Sequence, residues 1–174
     1  VNTNDPRANF LTAVKNGKIG ILRPQTQKAT LLSLLPELEE GTIAGYSYLD
    51  STEWLFDGQQ LERVVIRFDG PQAAHRAYTL LQLQWLEVLW RRPYAEVLAL
   101  FQSSARPFRT LTYEDGTLGL HVFQSPSGLL LNFDADETCQ RLTLEFEDRF
   151  RVLGGIRTLT VHDSSQLLSP APCA

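Results

Sequence analysis

The sequence predicts an α+β fold, mainly an antiparallel sheet with helices packed on one face. Three features point there. Strand-length segments divide their side chains by alternation: in Arg63 to Phe68, Val64, Ile66 and Phe68 share one side, and Arg63, Val65 and Arg67 share the other. A strand oily on one side and charged on the other belongs to a sheet covered on one face, the common antiparallel state. Asp57-Gly58, Asp115-Gly116 and Ser125-Pro126-Ser127-Gly128 supply hairpin signals between neighbouring segments. Leu-rich helical runs stand ahead of each group of strands.

Composition agrees with a packed domain. The 174 residues are 43% hydrophobic and 21% charged, as in ordinary globular chains. A chain of this length buries roughly 70% of its unfolded surface and needs no metal or disulfide staple. Sixteen basic against twenty acidic residues leave a net charge of -4, which argues against a nucleic-acid partner. Lysine is confined to Lys15, Lys18 and Lys28. Cys139 and Cys173 make neither a disulfide framework nor a zinc spacing. They read as reduced thiols, with a bridge to the tail or an intermolecular contact as alternatives. No uncharged apolar run is long enough to span a membrane, and the first ten residues lack a secretory apolar core, so the expected compartment is the cytoplasm.

In chain order, residues 1–9 are polar and expected to fray, and Phe10 to Val14 makes a helical turn stopped by Asn16-Gly17. After the short apolar Ile19–Leu22, Thr26 caps a helix carrying Ala29, Leu31, Leu32, Leu34 and Leu35, which Pro36 ends. Thr42 to Tyr48 alternates with Thr42, Ala44, Tyr46 and Tyr48 on one side. Glu53–Phe56 and Leu61–Phe68 form a hairpin around Asp57-Gly58. The longest helix runs from Gln72 to about Arg92, with Ala74, Tyr78, Leu81, Trp85 and Val88 in heptad-like spacing. Pro93 suits the first turn of a helix over Tyr94–Ser103, with Tyr94, Val97, Leu98 and Phe101 facing inward. Four strands follow at Arg109–Tyr113, Leu118–Phe123, Leu129–Phe133 and Cys139–Phe146, then a further strand or covering segment in Arg151–Val161. The organisation is one compact domain over 1–162, with halves of about 10–70 and 93–150 joined by helix 72–92, and a flexible tail at 163–174.

The halves echo each other. Phe56-Asp57 opens one hairpin and Phe133-Asp134 the other, with the second turn one residue longer. The following strands read Arg63-Val64-Val65-Ile66-Arg67-Phe68 and Arg141-Leu142-Thr143-Leu144-Glu145-Phe146. Two duplicated αβ units are therefore expected.

The segment Lys15-Asn16-Gly17-Lys18-Ile19-Gly20-Ile21-Leu22-Arg23-Pro24 resembles a group of short bacterial proteins of unassigned role. There a KxGKIGxLRPG segment precedes a helix ending in LLG.P and an aromatic hairpin. This chain has Gln25 in place of the Gly and ends its helix Leu34-Leu35-Pro36, and Trp54-Leu55-Phe56 stands in the aromatic arm. The likeness covers about residues 10–146, concerns packing and turns, and carries no catalytic residue. In architecture the chain is also similar to tandem αβ inhibitor proteins of the β-lactamase-inhibitor type, which implies an open sheet face offered to a partner.

No catalytic motif stands out: neither a GxSxG elbow nor a Walker loop nor a strand-anchored GxGxxG is present, and no cofactor is implied. His75, His121 and His162 have no second His at metal spacing. His75 reads as half-exposed, His121 as a candidate on the open face, and His162 as solvated. Asp134-x-Asp136 lacks the further ligands and glycine of a calcium loop and reads as a soluble turn. With Val64, Ile66, Phe68, Leu142, Leu144 and Phe146 turned to the helices, the candidate partner-binding set is Glu53, Leu55, Arg63, Arg67, His121, Phe123 and Glu145. The leading expectation is a non-enzymatic bacterial protein-binding domain, of immunity or inhibitor type, for a toxin or enzyme partner. One alternative is a small-ligand or enzymatic pocket between helices and sheet, using Tyr46, Tyr48, Trp54 and His121. Another is a structural homodimer paired through Leu81, Trp85 and Val88, so that both monomer and homodimer remain open.

Overall fold

A computed structural model describes residues 5, 7–11, 21–22, 26–50, 52–68, 88–104, 106–124, 127–145 and 155–162, excepting the side chains of Phe123, Gln124, Ser127 and Glu145. Expectations for residues 69–87, including most of the long helix, and for the tail lie outside the described residues.

Helix formation starts earlier than the apolar pattern suggests. Residues 7–11 are helical, with Asp5 Oδ1 accepting from Arg7 N at 2.9 Å and Asp5 O accepting from Asn9 N at 3.1 Å. An Asp just ahead of a helix satisfies an otherwise orphaned N–H, so residues 7–9, expected to fray, are helical. Phe10 is buried on this turn, its ring 5.6 Å from that of Phe101.

Helix α1 spans Lys28–Leu34 and helix α2 spans Tyr94–Ser103. Thr26 is not the cap of α1. Gln27 takes that place in an extended conformation, and no side chain caps it. The sheet holds the helix start instead, with Lys28 N donating to Gln59 O and Leu61 N to Thr26 O, both at 2.8 Å. Helix α2 is tied in the same way, Tyr94 N donating to Glu137 O at 2.8 Å and Cys139 N to Arg92 O at 2.9 Å. Pro93 stands at its N-cap rather than within the first turn. Val88 to Arg91 turn, with Arg91 at a φ of 48°, so the helix expected to run to about Arg92 does not cover these residues.

The described residues form nine strands: β1 Glu39–Glu40, β2 Tyr46–Leu49, β3 Thr52–Asp57, β4 Gln60–Arg67, β5 Phe108–Tyr113, β6 Leu118–Gln124, β7 Ser127–Phe133, β8 Cys139–Glu145 and β9 Ile156–His162. They form one sheet in the order β1-β2-β3-β4-β8-β7-β6-β5-β9, and every neighbouring pair is antiparallel. Two meanders, β1–β4 and β5–β8, thus meet at the β4–β8 seam. The strand expected over Thr42–Tyr48 shortens to Tyr46–Leu49. Gly45 turns the chain just before it at a φ of 86°, where an added Cβ would lie 2.8 Å from Phe56 O.

Both hairpins nearest the seam bulge at one place. Leu55 pairs Arg63 and Phe56 pairs Leu61, leaving Glu62 extra; Asn132 pairs Arg141 and Phe133 pairs Cys139, leaving Gln140 extra. The first residue of each helix covers the Phe at the bulge. Lys28 Nζ lies 5.4 Å from the Phe56 ring centre, and the Tyr94 ring meets Phe133 edge-on at 5.1 Å.

The helix-facing side supplies the core. Trp54, Val64, Ile66, Leu142, Leu144, Leu129, Leu131, Leu120 and Phe108 form one buried cluster with Leu31, Leu35, Val97 and Phe101. Trp54 Nε1 donates to Thr52 Oγ1 at 2.8 Å, so the indole is buried with its polar atom satisfied. Among the described residues no helix is long and apolar enough to cross a membrane.

Candidate functional site

The second sheet face, turned away from this cluster, carries Glu53, Leu55, Arg63, Arg67 and His121, while the side chains of Phe123 and Glu145 lie outside the described residues. Glu53, Leu55, Arg63, Arg67 and Glu145 come together on the adjacent strands β3, β4 and β8, through the pairs Leu55–Arg63, Glu53–Val65 and Arg63–Glu145. His121 and Phe123 stand on β6, separated from β8 by β7.

The rim of this face is wet and its centre is not. Arg67 is exposed, with Nη2 3.7 Å from Glu53 Oε2. Tyr46 and Tyr48 stack with ring centres 6.4 Å apart, and Tyr48 is exposed. Val65 and Thr143, directly opposite each other at the seam, are buried, as are Leu111 and His121. His121 therefore lies on the expected face but not in water. Burial, with a further contribution from Arg109, pushes its pKa down to about 4, so the ring is neutral at pH 7. His162 is half-buried rather than fully solvated: its ring stacks on Phe108 at 4.7 Å and its Nε2 lies 3.0 Å from Thr110 Oγ1.

Trp54 cannot share a pocket with Tyr46 and Tyr48. It points into the core, while they lie on the other side of the sheet, because Trp54 pairs Ser47, the residue between them. A cavity of about 540 Å³ opens at one end of the outer face and is lined by Arg67, Arg141, Asn132, Gln140, Tyr113 and the two nearby turns.

Its floor is a hydrogen-bonded chain. Asn132 Nδ2 donates to Tyr113 Oη at 3.0 Å, and Asn132 Oδ1 accepts from Arg141 Nε and Nη2 at 3.2 and 3.1 Å. Tyr113 can lie across β6 because residue 119 is glycine: an added Cβ there would sit 3.2 Å from the Tyr113 ring. Burial raises the Tyr113 pKa, so the phenol stays protonated at pH 7.

Two aspartates on the rim, Asp134 and Asp115, are engaged locally. Asp134 Oδ1 accepts from Asp136 N and Thr138 N, and its Oδ2 accepts from Thr138 Oγ1 and Gln140 Nε2. Asp115 Oδ1 accepts from Thr117 N and Thr117 Oγ1. Asp134 thus organises the β7–β8 turn, a role that its reading as a merely soluble loop residue misses. These bonds hold both carboxyls below the usual aspartate pKa.

The alternation pattern could have placed Arg141 and Asn132 on this face. Their convergence with Tyr113 could not be read from it, since β5 reaches β8 only across two intervening strands. Cys139 is free and buried, its thiol pushed up to about 12 chiefly by burial, which makes it a packing residue rather than a nucleophile. Among the described residues no cluster of three His, Cys, Asp or Glu side chains could hold a metal ion. Comparison with protein-family models, curated proteins and solved structures found no match to this chain.

Proposed function

We propose that this chain is a non-catalytic binding domain that docks a protein partner on the outer face of a sheet built from two tandem α-plus-four-strand units. Paired details support the duplication. The same two backbone bonds tie α1 to the start of β4 and α2 to the start of β8. The same bulge precedes Phe56 and Phe133, and the first residue of each helix covers that ring. Val65 and Thr143, the third positions of the two similar hexamers, face each other at the seam, as a two-fold relation between the copies requires.

The observation that carries the binding reading is the accessible end of the outer face. There the stacked Tyr46 and Tyr48 adjoin Leu55, Arg63 and the Glu53–Arg67 pair across three neighbouring strands. Tyr and Arg around a small apolar centre are the residue types that anchor protein interfaces. An immunity or inhibitor role towards a toxin or enzyme fits such a face, as does the architectural likeness to tandem αβ inhibitors. The kinship to short bacterial proteins with the KxGKIGxLRPG segment belongs to the same proposal.

The test is co-purification with the product of the adjacent gene, using the native chain and the Tyr48→Ala and Arg67→Glu variants. Loss of that partner in both variants, with unchanged circular dichroism, is the expected result. Undiminished capture by both would remove this face from consideration.

A further inference from the structure

We propose that the outer-face cavity is a carboxylate-binding site whose cationic end is the pair Arg67 and Arg141. The inference does not depend on the reading of the sheet as a protein platform.

The two arginines are Cα partners across the β4–β8 seam. Like charges placed directly opposite in an antiparallel pair destabilise it, whereas opposite charges there stabilise it. The same strand pair carries the complementary arrangement at its other end, where Arg63 stands opposite Glu145. At the cavity end the acidic partner is missing from the register.

Arg141 is held ready rather than neutralised. Its hydrogen bonds go to the neutral amide oxygen of Asn132, through Nε and Nη2, and among the described residues no carboxylate forms an ion pair with it. Tyr113 fixes that amide by accepting from its Nδ2. Among the described residues, the carboxylate that Arg67 meets is that of Glu53, at a long 3.7 Å. The aspartates on the rim are engaged by their own turns, Asp134 through Thr138 and Gln140, and Asp115 through Thr117.

Arg67 and Arg141 both line the polar cavity, and a guanidinium is the group that binds a carboxylate by charge-assisted hydrogen bonds. Glu114, Asp115 and Asp134 on the rim repel a second or third negative charge, which selects a carboxylate over a polyphosphate.

The experiment is a titration of the full chain followed by the arginine Nε–H resonances and the thermal midpoint, with sodium chloride at matched ionic strength as reference. One arm uses propionate, a free acid. The other uses a capped pentapeptide with a single central Glu, which mimics a side chain of a bound protein. Pyrophosphate serves as the polyanion. A saturable shift of the Arg141 Nε–H signal with propionate or the peptide, exceeding that with pyrophosphate, is expected. The tighter of the two arms assigns the source of the carboxylate. Arg67→Gln, at an exposed position, should weaken the binding by about tenfold. Asn132→Asp, which places a carboxylate beside Arg141 within the chain, should raise the thermal midpoint and abolish binding. Shifts no larger than those with chloride, tighter binding of pyrophosphate, or unaltered binding in Arg67→Gln would each overturn the proposal.

Discussion

His121 is a single imidazole kept neutral by the sheet around it. Its pKa is about 4 in the folded chain against 6.5 for the free side chain, so between those values the unfolded state binds the proton and the folded state does not. The stabilisation is complete above pH 6.5 and is lost as pH falls towards 4, by roughly 3 kcal/mol in all. Urea unfolding at pH 7, 6 and 5 should show this decline, and His121→Gln should flatten it even if the variant is less stable throughout. Cys139 gives a kinetic counterpart. With its thiol near 12, a thiol reagent at pH 8 should label it only at the rate of unfolding. Fast labelling of Cys139 in the folded chain, assigned by peptide mapping, would contradict its burial.

Helices α1 and α2 and their hairpins are secured by one another rather than by capping side chains. Each helix start is bonded to the strand that enters the seam, and each hairpin Phe lies beneath the first helical residue. Phe133→Ala should therefore cost about 3–5 kcal/mol, because it empties a buried site shared by α2 and β7. Tyr94→Ala removes only the edge-on ring contact and its share of burial, and should cost about 1 kcal/mol. Denaturant midpoints of the two variants would check the ranking. The Asp57-Gly58 turn and the strands it joins were legible in the residues, since the turn type and the alternation are local properties. The true start of α1 was not, because Gln59 O in the β3–β4 turn accepts the Lys28 N–H that a side-chain cap would otherwise satisfy.

Across the molecule the β4–β8 seam sits at the centre of a core cluster continuous from Trp54 to Phe108. If the two meanders depend on that seam, they should unfold together. Leu142→Ala, at a fully buried seam position, should lower stability by about 2–5 kcal/mol. Hydrogen exchange should then report an equal loss for amides of β2–β3 and of β6–β7. A loss confined to β6–β8 would mean that the halves fold separately.

Alternation by itself determined the buried side of the sheet: Val64, Ile66, Leu142 and Leu144 are all in the core, since a strand's side chains must divide between two faces. It also settled four strands of the second meander to within about two residues, where turns and polar flanks are local. Of the candidate site, alternation grouped Glu53, Leu55, Arg63 and Arg67 on one face. It could not reveal that the middle of that face is closed over His121, Val65 and Thr143. Only the tertiary structure decided that Arg141, Asn132 and Tyr113 converge on one cavity, because strand order and register are set by packing between distant segments. One sequence displays periodicity along the chain but not which strands become neighbours across it.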